Sequence, residues 1–193
     1  MLMDRIIKAF TFRREVYAEV EHDASFTSTA WILVGVIAFL NQLGSFATAE
    51  STSGWIIGAI VGTIIAVIGF ALAAYVIAWV GKSMFQADVN FEEMVRTLGL
   101  AYVWNVVGVF GVLSAFVPFL TCILTPAICL AAIMGLVSWF IATQEALDLD
   151  TGQTAITVII GWAIQFAVTF IGGFILGLIG LAGASVLGAI GGG

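Results

Sequence analysis

Residues 55–80 read WIIGAIVGTIIAVIGFALAAYVIAWV, a run without one charged side chain. A helix of about 20 apolar residues covers the roughly 30 Å hydrocarbon core of a bilayer, so this run is long enough to cross with tilt. The rest of the chain shares its character. Of 193 residues, 62% are apolar and 9% charged, against about 25% charged in an ordinary soluble domain. A soluble domain of this length cannot hide that much apolar surface. The sequence therefore predicts an all-α integral membrane bundle of about five transmembrane helices.

Working outward, apolar runs lie near 30–49, 55–80, 98–117, 119–143 and 154–174, separated by short polar stretches. Residues 1–26 form a polar, amphipathic segment, and 27–193 a transmembrane domain. The first long apolar run begins only near Ala30, so it reads as a retained span and not as a cleaved signal. Glu50-Ser51-Thr52-Ser53-Gly54 breaks the first two spans and offers hydroxyls for a helix cap. Asn90 and Glu93 have the spacing of a reciprocal capping box. Pro118 ends the third span, and Pro126 lies inside the fourth. The glycine-rich tail, 175–190, either prolongs the fifth helix, folds back, or makes a sixth crossing; five spans with an apolar tail is the favoured count.

All six Lys and Arg residues fall in two segments: Arg5, Lys8, Arg13 and Arg14 before the first span, and Lys82 and Arg96 between the second and third. Alternating crossings put both on one side, which the positive-inside rule makes cytoplasmic. The expected location is the cell membrane, with a cytoplasmic amino terminus. Met3, Ile6, Ile7, Phe10, Tyr17 and Val20 recur at helical spacing, interrupted by Arg13 and Arg14. That stripe suits a helix lying in the interface or one resting on the bundle.

Chemistry has little to work with. His22 is the one histidine and sits beside Glu21 and Asp23, where it reads as a solvated residue at the edge of the first span. No clustered metal ligands, triad, phosphate loop or dinucleotide fingerprint is present, so no enzyme and no cofactor are expected. Cys122 and Cys129 stand roughly 10 Å apart along one helix, beyond disulfide reach. No basic patch with interleaved aromatics supports nucleic-acid binding.

Three sets of residues stand out. Asn41, Gln42, Asn105 and Gln165 are amides inside spans, serving either as hydrogen-bonded glue between helices or as the lining of a solute path. Gly54, Gly58 and Gly62, and Gly180, Ala184 and Gly188, form small-residue stripes for helix packing, internally or against a second copy. Arg96, at the start of the third span, and Glu145 and Asp148, after the fourth, are candidates for a cytoplasmic clamp; the rival is a local Glu92–Arg96 pair.

Several segments carry a family resemblance. Arg5-Ile6-Ile7-Lys8-Ala9 and Val16-Tyr17-Ala18-Glu19-Val20-Glu21-His22-Asp23 lead into the first span. Phe91-Glu92-Glu93-Met94-Val95-Arg96-Thr97-Leu98-Gly99-Leu100-Ala101 opens the third, and Glu145-Ala146-Leu147-Asp148-Leu149-Asp150-Thr151 joins the fourth to the fifth. In this order the segments resemble prokaryotic membrane proteins of the Yip (Ypt-interacting protein) domain family. Tyr102-Val103-Trp104-Asn105 lacks the proline common in such relatives, and Gln153 stands where a base is usual. The resemblance implies a five-helix bundle with a cytoplasmic amino terminus and no catalytic residue. Its eukaryotic members serve vesicle trafficking and bind small GTPases.

The leading expectation is a non-enzymatic membrane-organising or accessory component. Its partners would be the lipid bilayer and other integral membrane proteins or a second copy. The runner-up is a small transporter or channel for an uncharged or lipidic solute.

Overall fold

The computed structural model describes residues 2–47, 49 and 51–191, with the side chains of 176 and 179–191 outside that description. Two short helices, α1 (Leu2–Phe10) and α2 (Arg14–His22), precede the bundle. The first two spans are α3 (Phe26–Ser45) and α4 (Thr52–Phe85). The third is composite: α5 (Phe91–Ala101), a 3-10 segment Tyr102–Gly111, and α6 (Val112–Phe116). After a 3-10 turn, Pro118–Leu120, come α7 (Thr121–Leu147) and α8 (Thr151–Gly191). Among the described residues, five helical stretches are long and apolar enough to cross a membrane.

The spans begin earlier than hydropathy alone places them, because polar residues wind their first turns. Ser51 caps α4 by accepting from the Gly54 N–H at 3.1 Å. Asn90 and Glu93 form the capping box of α5: the Glu93 N–H donates to Asn90 Oδ1 at 2.9 Å and the Asn90 N–H to Glu93 Oε2 at 2.7 Å. Helix α7 continues through Pro126. Helix α8 stays helical to Gly191, so the glycine-rich tail prolongs the fifth helix. Gly180, Ala184 and Gly188 lie there, outside the residues whose side chains are described.

The amphipathic stripe of the amino terminus divides between two helices, since Phe12 turns the chain with φ 56°. Helix α2 buries Val16, Tyr17 and Val20 in the bundle core, resting on protein. Helix α1 runs beside the third span, where Phe10 and Phe12 pack on the Trp104 ring at 5.0 and 5.4 Å. Its Leu2, Met3 and Ile7 remain exposed. At mid-bundle the fully buried Phe70 of α4 meets Trp31, Tyr102 and Trp139 edge-on, at 5.8, 5.5 and 6.2 Å.

The 3-10 segment departs from the plain α-helix expected across 98–117. Ten residues is long for this winding, which rarely persists beyond about four. With about three residues per turn, Tyr102, Asn105, Gly108 and Gly111 stack along one face. That face meets α3 at very close range. A Cβ added to Gly44 would strike the Gly108 carbonyl, and one added to Gly111 would lie 2.8 Å from the Gly44 oxygen. Glycine is required at this crossing because backbone meets backbone.

Candidate functional site

The helices run back and forth, so the amino terminus, the α4–α5 loop and the α7–α8 turn share one end of the bundle. Every charged residue among the described ones gathers there; Glu50 lies outside them. We refer to this end as the polar cap.

Arg96 holds the cap together. It is 4% exposed. Its Nε donates to the Val20 and Glu21 carbonyls at 3.0 Å each, Nη2 to the Glu21 carbonyl, and Nη1 to Thr27 Oγ1 at 3.0 Å. Those carbonyls end α2, where the helix dipole places partial negative charge and the backbone leaves acceptors unfilled. The expected clamp is therefore not the one formed. Arg96 makes no ion pair with Glu145, Asp148 or Glu92. The Val20 carbonyl also accepts from the Asp23 N–H at 3.3 Å, so the guanidinium adds a second donor there and supplies one to the Glu21 carbonyl beside it. Glu145 instead receives Arg14 Nη1 at 3.0 Å. Asp148 adopts the left-handed conformation, φ 49°, that ends α7.

Further ties hold the cap to the bundle. The Tyr17 and Ser138 hydroxyls are 2.6 Å apart in the core, joining α2 to α7. Arg5 Nη2 pairs with Glu19 at 2.7 Å and Asp23 at 2.9 Å, and lies 5.0 Å from the centre of the Phe26 ring. These contacts hold the Asp23 carboxyl below its ordinary range, the Ser25 hydrogen bond first and Arg5 second. Lys8 and Asp4 form the local four-apart pair at 2.7 Å. The Glu21 side chain is 15% exposed. Burial pushes its carboxyl up to about 7; His22 and Arg96 oppose the shift, while Glu93 and Asp148 add to it. The His22 side chain itself is 81% exposed.

The second feature lies at mid-depth. All four intramembrane amides line one cavity of about 220 Å³, bounded by α3, α4, the 3-10 segment, α7 and α8. Asn41 Nδ2 donates to the Asn105 carbonyl at 2.8 Å, and Asn105 Nδ2 to the Tyr102 carbonyl at 3.1 Å. Gln42 Nε2 reaches the Gly62 carbonyl at 3.4 Å and Gln165 Nε2 the Ala66 carbonyl at 3.5 Å. A carbonyl can only accept, so each contact fixes which end of the amide is nitrogen. Gln165 Oε1 is buried and has no hydrogen-bond partner.

Glycines seat three of these amides. A Cβ at Gly108 would overlap the Asn41 amide, one at Gly62 would lie 3.0 Å from Gln42 Cδ, and one at Gly69 would lie 2.9 Å from Gln165 Nε2. Gly58 faces the Phe46 ring, 2.6 Å from where a Cβ would sit, whereas Gly54 stands exposed by its cap. Gly58 and Gly62 thus face partners within the same chain. Cys122 and Cys129 are free and exposed on α7. Among the described residues no three His, Cys, Asp or Glu side chains are grouped to hold a metal ion.

No curated protein and no solved structure matches this chain. The Yip1 domain does, over residues 7–173, from within α1 to within α8 and so across all five spans. With that match, on a five-span all-helical bundle, the chain belongs to the Yip1 domain family.

Proposed function

We propose that this protein is a non-enzymatic organiser or accessory of the cell membrane that engages other integral membrane proteins, or a second copy of itself, through its polar cap. The supporting observation is the fixed geometry of that cap. Buried Arg96 and the Tyr17–Ser138 pair hold α2 against the bundle. Around them Arg13, Glu15, Lys82, Asp88, Glu92 and Asp150 are exposed. A rigid surface with charges of both signs loses little conformational entropy on binding and can discriminate partners by charge complementarity. The two basic segments support a cytoplasmic orientation for this end.

Affinity purification in mild detergent, with crosslinking in native membranes, tests the reading. A reproducible partner or self-association that Arg13→Glu with Lys82→Glu weakens is the expected result. Recovery of the protein alone and monomeric from both preparations contradicts it. A second reading, carriage of an uncharged or lipidic solute, draws support from the amide-lined cavity.

A further inference from the structure

We infer that the mid-membrane cavity binds the hydroxyl end of a neutral long-chain lipid alcohol, which enters sideways from the bilayer between α7 and α8. The inference rests on the second reading only in giving the cavity a lipidic occupant; it requires neither transport nor a partner at the cap.

Four observations carry it. First, among the described residues no Asp, Glu, Lys, Arg or His lines the cavity. A charged ligand would be stripped of water at mid-depth with no countercharge, so the occupant is neutral. Second, the amide nitrogens are committed to backbone carbonyls, and Gln165 Oε1 is a buried acceptor without a partner. Such an oxygen costs about 1–3 kcal/mol until a donor reaches it, which calls for an O–H or N–H on the ligand. Third, the wall is incomplete. Trp162 and Phe166 line the cavity yet are 44% and 61% exposed, and Ala132 of α7 lines it from the exposed side as well. These positions lie mid-span, so the opening faces hydrocarbon and selects a ligand that already resides there. Fourth, about 220 Å³ far exceeds the roughly 10–15 Å³ that one ordered water needs. Leu136 and Phe166 supply apolar surface for a chain behind the hydroxyl.

The test uses the full-length protein in phosphatidylcholine vesicles, with hexadecanol carrying a photoreactive diazirine on its chain. Crosslinks are mapped by mass spectrometry in the presence of excess unlabelled hexadecanol or hexadecane. The expected result is labelling near Leu136 and Phe166 that hexadecanol suppresses and hexadecane does not. Gln165→Leu then lowers the suppressible fraction about tenfold, the equivalent of one buried hydrogen bond. Ala132→Phe, a change at an exposed position that leaves the core untouched, closes the mouth and abolishes the same labelling. Labelling spread over all exposed helix faces and insensitive to hexadecanol overturns the proposal. Equal competition by hexadecane, or unchanged labelling in both variants, overturns it too. Loss of partner binding at the cap moves none of these readouts.

Discussion

The polar cap and the mid-membrane cavity use one device with two kinds of donor. In both, a side chain from one helix satisfies backbone carbonyls of another: Arg96 on α2 at the cap, Asn41 on the third span and Gln165 on α4 at mid-depth. At the cap the donor is charged, because water and the end of a helix dipole are near. At mid-depth every donor is a neutral amide, because a lone charge there costs several kcal/mol. Depth in the membrane, not packing, decides which donor is used. The second difference lies in what is left over. The guanidinium leads to filled carbonyls, whereas the amides leave a buried acceptor without a partner, Gln165 Oε1, on a residue of the cavity wall.

The comparison is broken most severely by removing the charged donor. Arg96→Met removes the charged donors to the Val20 and Glu21 carbonyls and to Thr27, so the bundle should lose about 3 kcal/mol, read as a large fall in thermal midpoint in detergent. Arg96→Lys should recover less than half of it, since an ammonium cannot reproduce the fork to Val20, Glu21 and Thr27. The next largest effect comes from the glycines. Gly44→Ala drives a methyl into the Gly108 backbone, which cannot yield, and should cost about 2 kcal/mol. Gly62→Ala meets only the end of Gln42 and the Phe46 ring, which can move, and should cost less than about 1 kcal/mol by the same assay.

A smaller effect follows from Glu21. Its carboxyl is raised in the folded protein, so stability fully present below the ordinary value of 4.5 is lost as pH rises through about 7. The neighbours His22, Glu93, Asp148 and Arg96 share that environment. Glu21→Gln should therefore melt higher than the parent near pH 8.5, with the gap closing toward pH 4.5 as the parent protonates; a gap independent of pH contradicts this assignment. The smallest effect is the most telling about the cavity. Gln165→Leu discards an unsatisfied oxygen along with a long, weak hydrogen bond, so stability should change by less than about 1 kcal/mol. A large loss would mean the amide is structural glue.

Much of this architecture is legible in the residues. The run 55–80 with the basic segments gives spans and a shared end, and Asn90 with Glu93 gives the start of the third span. All four intramembrane amides are identifiable one by one, but their convergence on one cavity is not, because helix rotation is set by contacts between spans. The Arg96 receptor was missed for a plainer reason: backbone carbonyls carry no side-chain signature, so pairing by opposite charge pointed to Glu145 and Asp148. The 3-10 segment left little signal, because Gly108 and Gly111 stand three apart, a spacing that an α-helix face shares.

The central claim is that the cap is part of the folded bundle and that Arg96 fixes it there. Amide hydrogen exchange across residues 14–22, in lipid nanodiscs, tests this directly. The account predicts that these amides in the parent protein are as protected as those of 91–101. In Arg96→Met their protection should collapse while that of 59–74 at mid-bundle is retained. Rapid exchange of 14–22 in the parent protein, as in a helix lying loosely on the lipid surface, would contradict it.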